Sequence, residues 1–219
     1  MMEFPFRVPI CTYEIEDWTE KKETIKLPDP NEKHLDQGVE VYTDFFEWDH
    51  AGILPPYADS VFDAAAIPIN KFKKSGCMGR NHMMEISSMW FESQFASHKH
   101  RVHNHGMYGW SSVLYYDFDP NIHQPTTFYS PFHDFRDGNL MSYVPPVKEG
   151  SIVFFPAALH HEAPPNRSPV KRTIISFNIK GLYNRVLPLK KYIKNPKIDF
   201  CNGLFRHCLH LELYKIWEF

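Results

Sequence analysis

The feature that most constrains the fold of this chain is a series of short, strand-like runs separated by sharp corners. HMMEISSMWFESQF (82–95), WSSVLYYDF (110–118), TTFYSPF (126–132) and two apolar runs within GSIVFFPAALHHEAPPNRSPVKRTIISFNI (150–179) are broken at DPN, SP and DG. Runs of this length, rich in aromatic and β-branched residues, read as strands, and many of them in one chain read as a sandwich or barrel. With 18 prolines, 10 glycines and 16% aromatic residues, the composition suits strands joined by rigid corners better than a helical bundle. The expectation is a mainly β fold with a few flanking helices.

The 219 residues are enough for one domain with a core that needs no staples, and no linker is evident. We expect a single domain over 1–219, with a core at about 82–180 and a C-terminal helical extension at about 181–219. FRVPICTYEIEDW reads as an entry strand, and TEKKETIKLPDPNEKH as an exposed connection. PPYADSVFDAAA opens a helix on prolines, with Tyr57, Val61, Phe62 and Ala65 at helical spacing until Pro68 interrupts it. In the tail, Leu204, Cys208, Leu211 and Tyr214 would share one helical stripe, docked on the barrel or on a second copy in a homodimer.

The net charge of −2, without a basic block, argues against a nucleic-acid partner. No apolar run approaches membrane-spanning length. Cys11, Cys77, Cys201 and Cys208 form no C-x-x-C, and MMEFPFRVPI has no signal-peptide character, so reduced thiols in a cytoplasmic protein are expected.

Chemistry concentrates in HKHRVHNHGMYG (98–109), which holds four histidines. On a strand, residues two apart share a face, so His98 pairs with His100 and His103 with His105, and an H-x-H pair can grip one ion. The span 150–179 reads as a β-hairpin through APPNRSPVK, in which His161 and Arg172, symmetric about Asn166 and Arg167, would face each other. If His103, His105 and His161 converge, they form a facial set that leaves the far side of a metal open. Arg172 could then pair bidentately with a carboxylate bound there.

These motifs resemble those of the Fe(II)/2-oxoglutarate dioxygenases, in particular a prolyl-hydroxylase-like group of microbial and phage proteins. The counterparts are HNH at 103–105, SSVLYY at 111–116, GSIVFFPAALHH at 150–161 and RTIISFN at 172–178, so the likeness covers roughly residues 90 to 180. The resemblance implies a double-stranded β-helix fold, Fe(II) as cofactor, and 2-oxoglutarate and dioxygen as co-substrates. It implies hydroxylation of a C–H bond in a peptidyl side chain, prolyl by analogy, or in a small metabolite. His103 and His161 would be iron ligands, and His105 would stand where the family usually has a carboxylate. Arg172 would hold the distal carboxylate of 2-oxoglutarate, with Tyr116 bonding the same group and Ser176 and Asn178 assisting.

The missing carboxylate leaves three neutral ligands, and a divalent ion then keeps a formal charge of about +2 rather than about +1. Asp134 or Glu162 could complete the site instead. The alternative is a cupin-type three-histidine metal protein without 2-oxoglutarate; GSIVFFPAALHH resembles the second cupin box, with Ala158 where glycine belongs, but no glutamate follows HNH at the required spacing. The aromatic-rich segment 128–147 reads either as a lid or as a connection packed on the barrel.

Overall fold

A computed structural model describes residues 7–36, 40–49, 51–78 and 82–183. The helix expected between Leu204 and Ile216 lies outside the described residues, as do Cys201 and Cys208.

Among the described residues, eleven strands build two antiparallel sheets. The larger contains β1 (Cys11–Glu14), β2 (Leu35–Asp36), β3 (Val41–Thr43), β4 (His82–Gln94), β6 (Trp110–Asp117), β9 (Ser151–Pro156) and β11 (Arg172–Tyr183), in the order β1-β9-β6-β11-β4-β3-β2. The smaller contains β5 (His100–His103), β7 (Thr127–His133), β8 (Leu140–Tyr143) and β10 (His161–Ala163), in the order β5-β10-β7-β8. The chain passes repeatedly from one sheet to the other, which gives the double-stranded β-helix expected from the sequence.

Strand alternation divides the apolar residues between two cores. Met89, Phe91, Leu114, Ile152, Phe154, Ile175 and Phe177 face the helices, whereas Val113, Tyr115, Val153, Phe155 and Ile174 face the smaller sheet. The helical side is closed by α1 (Trp18–Thr24) and α3 (Ala58–Lys74); a single turn, α2 (Phe45–Trp48), precedes α3. The entry strand forms as expected, but α1 occupies part of what the sequence suggests is a bare connection. It is anchored by the indole of Trp18, which donates from Nε1 to Glu149 at 3.1 Å.

α3 also runs past Pro68 rather than stopping there. The reason is packing: Val61, Ala64, Ala65, Pro68 and Phe72 form one buried stripe, and Phe72 stacks on Phe154 with ring centroids 4.4 Å apart. Burial on both sides of the proline outweighs the loss of one helical hydrogen bond.

The span 150–179 is not a hairpin. β9 pairs with β1 and β6, β10 with β5 and β7, and β11 with β4 and β6, so this span crosses to the smaller sheet and back. Pro164 and Pro165 follow β10 and have no N–H for a ladder. Asn166 then pins the corner. Its backbone N–H donates to His98 O and its carbonyl accepts from Ser97 N, each at 2.8 Å, while its amide donates to Gln94 O and Val170 O at 3.0 and 2.8 Å. His161 and Arg172 therefore lie in different sheets instead of facing across one turn. The segment 128–147 is largely the β7–β8 hairpin, which extends the smaller sheet.

Gly150 turns the chain into β9 at φ +81°, and a Cβ there would lie 2.6 Å from Cγ of Trp18. Gly150→Ala should therefore lose at least about 2 kcal/mol, from the positive φ and the clash with a buried ring. Urea denaturation of the variant and the parent measures this, and equal midpoints would contradict the packing described.

Candidate active site

The site lies between the sheets. His161 on β10 is directly opposite His103 on β5, so the antiparallel ladder itself brings these two imidazoles together. His105 follows β5 and is tethered by its backbone N–H to Ala157 O at 2.8 Å. One ring nitrogen from each of the three lies within 4.8 Å of the others, and Nε2 of His103 and His105 are 3.3 Å apart.

The hydrogen bonds on the far side of each ring determine what these nitrogens can do. His103 Nδ1–H donates to Arg101 O at 2.7 Å and His161 Nδ1–H to Leu159 O at 2.9 Å. His105 Nδ1 faces Asn178 Oδ1 at 2.9 Å and Ser111 Oγ at 2.7 Å. Ser111 gives its own proton to Asn178 Oδ1, and the Asn178 amide is oriented by donating to Ser88 Oγ at 3.0 Å. All three rings thus carry their proton on Nδ1 and keep the Nε2 lone pair for the shared space, the arrangement that orients metal-binding histidines. Burial, then the neighbouring imidazoles, lowers the pKa of His103, His105 and His161, that of His105 to about 4. The rings are therefore neutral near pH 7, as metal ligation requires.

Arg172 opens β11 and is 1% exposed. It donates to Gln94 Oε1 at 3.0 Å and to Thr126 Oγ1 at 3.5 Å, and its guanidinium lies 5.8 Å from the Tyr115 ring centroid and 5.9 Å from that of Phe118. No salt bridge among the described residues includes it, and its Nε has no hydrogen-bond partner. A buried guanidinium without a paired anion is costly, so this position suits a carboxylate brought by a ligand. Ser176, two steps along the same face from Ile174, lines the cavity together with the three histidines.

Tyr116 is placed elsewhere. It points to the helical side, where its hydroxyl donates to Ile25 O at 3.1 Å and its ring packs edge-on to Trp18. Tyr115 faces the site instead; it is fully buried beside Arg172, and its hydroxyl accepts from Thr126 N at 3.2 Å. The tyrosines are adjacent on one strand, so a one-residue choice decides the face. Asn178 stands at the His105 end of the site, as the acceptor for that ring.

Glu92 in the cavity was not assigned from sequence, and His100, expected on a face with His98, lies there with it. Glu92 on β4 is buried, accepts from Trp90 Nε1 at 3.1 Å, and contacts His100 Nδ1 through both oxygens at 3.0 Å. Burial opposes its charge, but His100 and then His103 hold its carboxyl well below the usual range. The His100 ring stacks on His103 at 3.9 Å, although simple alternation puts residues three apart on opposite faces. A register shift explains this: His103 pairs with His161 and His100 with Ala163, so β5 spends three steps where β10 spends two. His98 instead stacks on Tyr42. A glutamate inside the apolar run MMEISSMWFESQF, spaced evenly with Trp90 and Gln94, was the signal available for Glu92. Asp134 pairs with Arg136 at the β7–β8 tip, and Glu162 accepts from Tyr129, so neither is among the groups lining the cavity.

No helix among the described residues is long and apolar enough to cross a membrane. No curated protein matches the chain in sequence. Several solved structures share its fold at low identity. An oxidoreductase of the 2OG-Fe(II) oxygenase family from Burkholderia pseudomallei aligns with TM-score 0.55 and 13% identity over 78% of this chain and 84% of its own. The α-ketoglutarate-dependent epimerase SnoN of nogalamycin biosynthesis aligns with TM-score 0.54 and 14% identity over 80% and 78%. A viral collagen prolyl hydroxylase from Paramecium bursaria Chlorella virus-1 aligns with TM-score 0.51 and 14% identity over 79% and 96%. In sequence, a family model described as "Putative 2OG-Fe(II) oxygenase" matches residues 88–178, the stretch that contains the three histidines, Glu92, Arg172 and Asn178. The cofactors of that family are iron and 2-oxoglutarate, and it is the core of this chain, residues 88–178, that its model matches.

Proposed function

We propose that this chain hydroxylates a C–H bond, that His103, His105 and His161 hold Fe(II), and that Arg172 receives the distal carboxylate of 2-oxoglutarate. The observation that carries this reading is the shared protonation pattern of the three rings, with every Nδ1–H committed to an oxygen acceptor and every Nε2 left for a metal. Imidazole nitrogen suits ferrous ion, and three such ligands leave coordination positions open. The buried guanidinium without an anion supports 2-oxoglutarate and disfavours the cupin alternative, which gives Arg172 nothing to bind.

When bound, Fe(II) and 2-oxoglutarate activate dioxygen for oxidation of a C–H bond, with succinate and carbon dioxide as co-products. The residues of the chain position and shield that chemistry. Arg172, braced by Gln94 and Thr126, fixes one end of the oxo-acid, while Ser176 lines the cavity beside the histidines. Asn178 keeps the proton of His105 on Nδ1, and carbonyl oxygens do the same for His103 and His161. Val113 and Ile174 line the cavity and keep water from its walls.

A peptidyl side chain, prolyl or another, is the substrate class we favour. Met107 and Tyr108, 86% and 80% exposed, follow His105 closely and give its edge an apolar character. The viral collagen prolyl hydroxylase has the same fold and is a precedent for this substrate class, while SnoN is a precedent for epimerisation.

Metal analysis of purified variants tests the ligand set. His105→Ala should lose most of its iron, whereas His105→Asp should retain it because a carboxylate also ligates Fe(II); full occupancy in His105→Ala would exclude His105 as a ligand. Arg172→Lys keeps the charge but loses the planar fork, so 2-oxoglutarate affinity should fall by one to two decades, about 1–3 kcal/mol. Unchanged affinity by calorimetry would mean that the carboxylate is held elsewhere.

A further inference from the structure

Two thiols meet on the helical side of the larger sheet, in the core that does not contain the histidine cavity, and the proposed reaction has no use for them. The Sγ atoms of Cys11 and Cys77 lie 3.9 Å apart, although 66 positions separate the two residues in the chain. Each is placed by its own element. Cys11 opens β1, an edge strand of the larger sheet, and pairs with Phe154 of β9. Phe72, in the last turn of α3, stacks on the same Phe154, so this ring stack sets the end of the helix beside Cys11. α3 then stops at Ser75, and Gly76, at φ +81°, turns Cys77 back against the core on which Cys11 also packs. Ser75 Oγ donates to Phe72 O at 2.6 Å and accepts from Cys77 N at 3.3 Å, which steadies the turn. Both cysteines are half-buried.

We propose that Cys11 and Cys77 are a redox-active pair, a modification site at which exchange with a small-molecule disulfide, oxidised glutathione, links β1 to the end of α3 and fastens the helix to the sheet. The pair needs neither metal nor 2-oxoglutarate. A disulfide holds its sulfurs about 2.05 Å apart, so these two must close by about 2 Å. Cys11 is fixed in its ladder with β9, whereas Cys77 follows a turn open enough that a Cβ on Gly76 would meet nothing within 4 Å, and it supplies the movement. The exchange balances within its reactants. One cysteine thiolate displaces a glutathione thiolate to form a mixed disulfide, the second displaces the other, and the two departing glutathiones take up the two protons that the cysteines release. The cysteines lose two electrons and oxidised glutathione gains them. Burial, then the neighbouring Cys77, pushes the Cys11 thiol up to about 11, so the first attack falls to Cys77. The second of these causes is gone once Cys77 carries glutathione, and Cys11 then completes the exchange. The link encloses α1, α2 and α3 in one covalent loop, which stabilises mainly by restricting the unfolded chain.

The test equilibrates the full chain under argon with rising ratios of oxidised to reduced glutathione, quenches by alkylation and maps the cysteines by mass spectrometry. Wild type and Cys201→Ser/Cys208→Ser, which lacks the other two cysteines, should both give a peptide pair joined through Cys11 and Cys77 and released by dithiothreitol. On the Cys201→Ser/Cys208→Ser background the linked protein should melt about 5–10 °C above its reduced form. Adding Cys11→Ala should abolish that rise and stop the reaction at glutathione on Cys77; adding Cys77→Ala should abolish it as well. Free thiols at both positions in the most oxidising buffer, or glutathione on either cysteine of wild type without the crosslink, would overturn the proposal and leave two cysteines packed as small apolar side chains. So would a linked protein that melts no higher than the reduced one, because the link would then distort the packing and not fasten it.

Discussion

The pairing of β10 with β5 is the constraint on which the site depends. It sets His161 opposite His103, and the register shift next to it turns His100 onto the same side. β10 holds that register because β7 flanks it on the other side, pairing Phe128 with His161, and because the Asn166 corner carries the chain straight back to the larger sheet. Arg172 begins β11 immediately after that corner, opposite Gln94. One crossing between sheets therefore sets His103 and His161 in the smaller sheet and Arg172 in the larger, where it reaches Thr126, a residue that lines the histidine cavity.

The electrostatics of that interior follow from what surrounds it. Burial keeps the three imidazoles neutral, and oxygen acceptors on their outer sides fix which nitrogen carries the proton. Arg172 is braced by neutral partners, Gln94 and Thr126, so its charge remains available to an incoming anion. Glu92 lies one ring beyond the three imidazoles, next to His100.

Much of this was legible in the chain because β-strands record burial with a period of two. The strand runs and the H-x-H pair follow from spacing, whereas the double-stranded β-helix was implied by the resemblance of the motifs to the dioxygenases. What failed depended on tertiary context. The expected hairpin turned out to be a crossing, because two apolar runs around a proline-rich connection look alike whether they pair with each other or with strands of different sheets. Tyr116 and Tyr115 differ by one position, and only the register of β6 within the sheet selects Tyr115. Pro68 stayed within α3 because the stripe through Phe72 has a buried partner in Phe154. Glu92 was missed because its partner His100 reaches the face of His103 through a bulge that spacing does not reveal.

The most direct test of the account is an anaerobic titration of the metal-free protein with Fe(II) and 2-oxoglutarate, followed by visible absorption. The account predicts a weak charge-transfer band that needs both components, saturates at one equivalent of each, and is lost in His161→Ala. Tight iron binding with no band when 2-oxoglutarate is added would contradict it and leave a three-histidine metal protein whose buried arginine serves another ligand.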